Sequence, residues 1–418
     1  MTVILGAGIS GISSSYHLNK KGIKNIIVEK DDDWGGLCGN FEIDGFRFDK
    51  AIHLSFTENM YVKELFSKSC EFITHRPLAY NYYKGLWIKH PAQNNLYPLA
   101  VNEKIDIICD FIENSNKKEN LNNYDEWLKA QYGNYFSDNF PIPYTKKYWT
   151  LEAKELTVNW VNSRMYQPKI KEVLQGAFEQ NTPNTYYAKE MRYPTEGGYK
   201  SFLNYMKKDC DIKLNKNVIK IDVEKKIIYF EDKSEIKYSN LISSIPLPEY
   251  SNLIKDIPKN VKSACENLKF TSIALVSIGL NKPNIPKHLW FYIYDEDILA
   301  SRCYSPSMKS LNNVPVGCSS FQFEVYFSKD KPLSLKGNTL IDHIVEKSEK
   351  MGLFVQENIC MKNLKVLKYG NVIFNHGMEK DRNTVLKYLH SIKIKTIGRF
   401  GKWEYLWSDQ SLLTGKNI

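Results

Sequence analysis

The chain has 418 residues, 43% hydrophobic and 25% charged, enough for two domains around a sizeable core and ordinary for a globular protein. Its formal charge is +10, but the lysines are interleaved with Asn and acids rather than gathered in a stripe, which argues for a solvated surface and against a nucleic-acid partner. The eight cysteines include no CxxC pair and none near a histidine at metal-ligand spacing, so no metal is expected. No apolar run approaches the ~18 residues of a membrane span. The first strand begins at Thr2 and leaves no room for a leader, so a cytoplasmic protein with reduced thiols and no transmembrane segment is expected.

Val3, Ile4 and Leu5 read as a short buried strand. Gly6-Ala7-Gly8-Ile9-Ser10-Gly11 is a turn, residues 12–20 a helix stopped at Gly22, and residues 25–28 a second strand ending at Glu29. Residues 76–199 are rich in Tyr, Trp and Asn, with helical stretches after Leu99 and a polar loop at 113–118. Residues 218–223 and 226–230 resemble hairpin strands, and 240–245 a buried strand ending at Pro246. A further strand pattern at 272–278 opens the region 251–385, which continues through aromatic strands around Trp290, Phe291 and Tyr292. Residues 394–397 are a strand running into Gly398.

The opening unit has a mechanical reading. Gly6 permits a tight exit from the strand, Gly8 lets the backbone approach a pyrophosphate, and Gly11 lets the helix pack closely on the sheet. The helix start offers free N–H groups to the phosphates. Glu29 is placed to accept hydrogen bonds from both hydroxyls of a ribose, which disfavours a 2′-phosphate. FAD and NAD both fit this unit. Two later features favour FAD: Trp34-Gly35-Gly36-Leu37, a second glycine pair beyond the ribose acid, and the run Gly398-Arg399-Phe400-Gly401 with Tyr405.

At these residues the sequence resembles the FAD-dependent amine oxidase superfamily, and within it the branch of UDP-galactopyranose mutase and the protoporphyrinogen-oxidase-like proteins. Asp44-Gly45-Phe46-Arg47-Phe48-Asp49 followed by His53 is similar to a mutase stretch ending Gly-Pro-His, with Ala51-Ile52 where that stretch has Gly-Pro. Pro143-Tyr144-Thr145-Lys146-Lys147-Tyr148-Trp149 and the turn from Tyr193 to Tyr199 are similar to two further mutase motifs. The resemblance implies an α/β protein: a Rossmann-like FAD-binding domain (1–75, 200–250, 386–418) with a mixed α+β substrate domain inserted in two parts (76–199, 251–385).

The implied cofactor is FAD, held by Gly6, Gly8, Ile9, Ser10, Gly11, Glu29, Lys30, Gly35, Gly36, Leu37, Gly398, Arg399 and Tyr405. The implied activity is ring rearrangement of a nucleotide sugar on a reduced flavin, without net oxidation, in surface-polysaccharide biosynthesis. An external reductant such as NAD(P)H fits that chemistry, and an oligomer is compatible with it. Arg302 and Arg164 resemble the arginines that clamp the diphosphate through planar forks. Tyr144, Trp149 and Tyr193 would line the substrate pocket, and Tyr304, Tyr405 and His53 would stand near the chemistry. Each has a plainer reading: a structural ion pair for Arg302, a surface charge for Arg164, core packing for Tyr144 and Trp149, and a satisfied buried histidine for His53. The alternative activity is an amine-oxidase-like oxidoreductase acting on an amine, sugar or lipid-like substrate.

Overall fold

The computed structural model describes residues 1–114, 121–161, 165–185 and 188–418. Thr2–Leu5 is the centre of a five-stranded, wholly parallel sheet. Asn25–Val28 and then Ile212–Lys213 lie to one side, and Asn240–Ser243 and then Ile394–Thr396 to the other. Val3, Ile4, Leu5, Ile26, Ile27 and Val28 are all buried, the unbroken apolar run expected of strands covered on both faces. Three distant stretches of chain therefore share one sheet.

The first helix runs Ile9–Lys20 and begins at Ile9 rather than the expected Ile12. Gly11 is thus inside its first turn. A Cβ on Gly11 would stand 2.0 Å from the Gly6 carbonyl oxygen, so the helix approaches the strand exit as closely as a backbone can. The C-terminal helix, Ser408–Lys416, packs along this first helix. Ser10 Oγ donates to the Ser411 carbonyl at 2.9 Å, and Ser13 Oγ to the Leu412 carbonyl at 2.7 Å. A Cβ on Gly415 would lie 2.3 Å from the Ser10 carbonyl oxygen. Small side chains bring these two backbones together.

Val218–Asp222, Ile227–Phe230 and Glu235–Lys237 form a small antiparallel sheet where the hairpin is expected. The larger sheet has seven strands, in the order Ile359–Val372, Phe270–Leu280, Ser319–Phe327, Arg302–Tyr304, Trp290–Ile293, Tyr80–Tyr83 and Leu86–Lys89. It is antiparallel except where Trp290–Ile293 meets Tyr80–Tyr83. The strand expected at 272–278 extends over Phe270–Leu280, because pairing on both sides carries it past the apolar run. Helices Val101–Asn114, Tyr124–Tyr132, Pro141–Tyr148 and Ile170–Phe178 complete this side. The first of them carries Glu113 and Asn114, the start of the expected polar loop, and 115–120 lie outside the described residues. The architecture is α/β: a Rossmann-like unit joined to a mixed α and β region. No helix among the described residues is long and apolar enough to cross a membrane.

Candidate active site

A cavity of about 720 Å³ runs along the carboxyl ends of the parallel strands, where open α/β sheets take their ligands. Gly6, Gly8, Ile9, Ser10, Glu29, Lys30, Gly35, Gly36, Leu37, Gly398 and Arg399 all line it. Gly8 and Gly35 form an isolated parallel bridge, and Gly36 (φ 55°) would carry a Cβ only 3.1 Å from the Gly8 Cα. The two glycine segments thus make a backbone cradle with no side chain in it. Glu29 is buried, and its carboxylate accepts from the Ala7 N–H at 2.7 Å and the Asp31 N–H at 3.1 Å. Those bonds fix its orientation and leave lone pairs for a further donor. Gly11 does not line the cavity; its place is the helix–strand contact.

A second cavity of about 180 Å³ lies further in. Leu37, His53, Arg399 and Ser408 line both, so the two cavities share a wall. The inner one has about 180 Å³ against about 720 Å³ for the long cavity. Its wall is rich in aromatics, with Phe56, Tyr148, Trp290, Tyr292, Tyr326, Tyr405 and Trp407. The polar groups in it are few: Arg302, Arg399, Asn371, His53 and Ser408.

Arg302 lies on the inner cavity and is also ion-paired. Its Nε donates to the fully buried Glu324 carboxylate, and Nη2 donates to the Tyr326 hydroxyl at 3.0 Å, which itself donates to Glu324 at 2.8 Å. Burial works against the guanidinium charge and Glu324 overrides it, holding the group above even the usual arginine range. The plainer reading of Arg302, a structural ion pair, is thus present in this geometry, and the side chain also borders the inner cavity. Arg399 donates from Nε and Nη2 to the Leu406 carbonyl and from Nη1 to Asn371 Oδ1, all neutral partners, and stacks 5.4 Å from the Tyr405 ring centre. Its positive charge stands where the cavities meet.

His53 stacks near Tyr199, with Nδ1 3.1 Å from the Ala51 carbonyl. Desolvation pulls its imidazole down to about 4, so it is neutral at ordinary pH. Behind it lies a fully buried ion pair, Lys309 with Asp49. Asp49 also accepts from the Tyr193 hydroxyl and the Tyr199 N–H, and Tyr199 reaches the Ser408 hydroxyl at 2.6 Å. Burial lowers the Lys309 ammonium, with Asp49 opposing.

Four expected pocket residues do not reach either cavity. Tyr304 is fully buried and its hydroxyl donates to Gln322 and the Asp49 carbonyl, which covers it from the pocket. Tyr193 spends its hydroxyl on Asp49. Trp149 packs behind Tyr405 at 5.3 Å between ring centres, and Tyr144 stacks behind Tyr148 and Tyr292. They support the cavity wall from the layer behind it. Arg164 lies outside the described residues. Sequence reasoning missed Glu324, Tyr326, Asn371 and Lys309. The one signal available was a charged residue inside the apolar run of Ser319–Phe327.

A glycine cradle at a helix start, a buried ribose-side carboxylate and a long cleft define a dinucleotide-binding protein whose ligand end opens on a small aromatic chamber. Residues 4–69 match the NAD(P)-binding Rossmann-like domain family. The structure superposes on a reduced UDP-galactopyranose mutase with a TM-score of 0.93 and 23% identity, over 99% of this chain and 92% of that one. It superposes on a putative protoporphyrinogen oxidase from Exiguobacterium sp. 255-15 with a TM-score of 0.76 and 13% identity, over 100% and 97% of the two chains. A phytoene desaturase from Fusarium fujikuroi is 44% identical over 52 residues, which is 12% of this chain and only 9% of that protein. The chain shares the fold of these solved structures, with a Rossmann-like dinucleotide-binding unit at its start.

Proposed function

We propose that the chain binds FAD in the long cavity and rearranges a nucleotide sugar in the inner one, as a step in surface-polysaccharide biosynthesis in the cytoplasm. The observation that carries this reading is the shared wall. A smaller chamber, with Arg302 on its side, shares a wall with the dinucleotide cleft. In this reading residues 1–75, 200–250 and 386–418 are the cofactor domain, and 76–199 and 251–385 the substrate domain.

When bound and reduced, with electrons from a donor such as NAD(P)H, FAD supplies an electron-rich ring that engages the sugar without net oxidation. The chain's own groups do the rest. The Gly6–Gly11 turn and the start of the Ile9–Lys20 helix hold the pyrophosphate, and Glu29 the ribose. Arg302 grips the substrate diphosphate and stabilises charge as it leaves. Arg399 favours negative charge on the bound ring. Tyr405, Trp407 and Phe56 keep water from the sugar.

Arg302→Ala should lower kcat/KM ten- to a hundredfold or more, since charge-assisted bidentate contacts are worth about 1.5–3 kcal/mol. It should also destabilise the fold by about 3–5 kcal/mol, because Glu324 is left buried and unpaired. Arg302→Lys separates the two effects. It keeps a cation beside Glu324 but loses the fork. Retained stability with poor turnover supports the clamp, and retained turnover removes Arg302 from the substrate site. Anaerobic turnover of UDP-galactopyranose on dithionite-reduced holoprotein, with no electron acceptor, supports the rearrangement.

One observation favours an FAD-dependent oxidoreductase instead. Glu324 already neutralises Arg302, so much of the inner cavity is aromatic and uncharged. Activity that requires an acceptor and oxidises an amine or apolar substrate decides for that reading.

A further inference from the structure

Asn371 stands near the end of the Ile359–Val372 strand, 3% exposed, on the wall of the inner cavity beside Arg399. Its backbone is held: the N–H donates to Thr271 Oγ1 at 2.9 Å, at a register shift in the pairing with Phe270–Leu280. The preceding Gly370 is pressed so close to Ile273 that a Cβ there would lie 2.5 Å from Cγ1. Its side chain is oriented as well. Oδ1 accepts from Arg399 Nη1 at 3.2 Å, and a guanidinium has only donors to offer, so the oxygen must face it. That leaves the amide nitrogen. Among the described residues Nδ2 is buried with no hydrogen-bond partner.

A buried amide nitrogen without an acceptor is costly in a folded protein and calls for a cause. A structural asparagine would use both ends. This one uses one end to anchor Arg399 and leaves the other buried and unpaired just behind the wall of the inner cavity. Resting on the reading of the two cavities given above, we propose that Asn371 is a ligand-positioning residue whose Nδ2 donates a hydrogen bond to an acceptor oxygen of the bound ligand. That oxygen belongs either to a carbonyl on the cofactor ring or to the sugar. Nδ2 has no accessible surface of its own in the described rotamer, so a turn of the Asn371 side chain toward the chamber is part of the proposal. The residue would then discriminate by orientation: a ligand without an oxygen at that point leaves the amide unpaired.

The test uses two variants that both lack Nδ2. Asn371→Leu removes the whole amide. Asn371→Asp keeps an acceptor for Arg399 and adds a charge. FAD is titrated into apoprotein by fluorescence quenching, and UDP-galactopyranose and UDP into oxidised holoprotein by the shift in flavin absorbance. Melting temperatures of the apoproteins are measured alongside. Both variants should weaken one ligand by about tenfold or more, and the Asn371→Asp apoprotein should melt no lower than wild type because it pairs with Arg399. A loss in the FAD titration assigns the oxygen to the cofactor. A loss for UDP-galactopyranose but not UDP assigns it to the sugar. Wild-type affinities in both variants overturn the proposal. So does a loss confined to one of them, which traces to the Arg399 anchor or to the added charge. Wild-type apoprotein that binds neither FAD nor the sugar nucleotide overturns the cavity reading itself.

Discussion

Ala51 sits with φ 106°, a backbone region that costs an L-residue with a Cβ roughly 1–3 kcal/mol. It is held there from both sides: the Ile52 N–H donates to Glu324 Oε1 at 2.7 Å, and the Ala51 carbonyl meets His53. The related mutase stretch has glycine at this position. Ala51→Gly should therefore raise stability by about 1 kcal/mol, after the entropy cost of glycine in the unfolded chain is subtracted. A urea midpoint below wild type would count against strain at this residue. The same neighbourhood shows what sequence can carry. Gly8, Glu29, Gly36 and Arg399 were legible because their spacing along the chain is itself the mechanism. Glu324 and Asn371 were not, because each acquires its role from a partner brought in by the sheet: Glu324 from Ile52 and Arg302, Asn371 from Arg399. Tyr304 shares the short strand of Arg302, two residues on. The end of the Phe46–Asp49 strand, invisible in that local pattern, covers it.

Among the elements, the seam between the first and last helices decides how the cofactor cleft closes. Ser408 and Ser411 of the last helix line the long cavity, and Gly415 sets how near that helix can come. Gly415→Val would place side-chain atoms inside the Ser10 carbonyl and the Ser14 N–H, 2.3 and 2.8 Å from the new Cβ. Overpacking of this kind costs typically about 1–3 kcal/mol. The expected outcome is a lower melting temperature together with weaker FAD retention on gel filtration. Unchanged retention would show that the helix does not shape the cofactor site. Elsewhere the long edge strand Ile359–Val372 carries Lys362, Lys365 and Lys368, charges that discourage another sheet from pairing with it.

For the molecule as a whole, pH dependence follows from histidines dispersed through it. Burial pulls His53, His90 and His288 each down to about 4. In the unfolded chain these groups take up protons near 6.5, so between about 4 and 6.5 the unfolded state binds more protons than the folded one. Their contribution is complete above about 6.5 and is lost as pH falls toward 4. Urea unfolding at pH 7.5, 6 and 4.5 should show stability decreasing in that order. His53→Gln should flatten part of the decline. A profile that rises toward acid would contradict the burial of these rings.

The five-stranded sheet has a consequence for how the protein is made. Its central strand leaves the ribosome well ahead of its outer partner Ile394–Thr396 and of the helix that seals the glycine turn, which come some 390 residues later. Contacts of such sequence separation form slowly. Until then the nascent chain carries an apolar strand and a glycine turn with one flank open, the kind of transiently exposed surface that is prone to aggregate. The dinucleotide cleft is thus completed only once these late segments have been made.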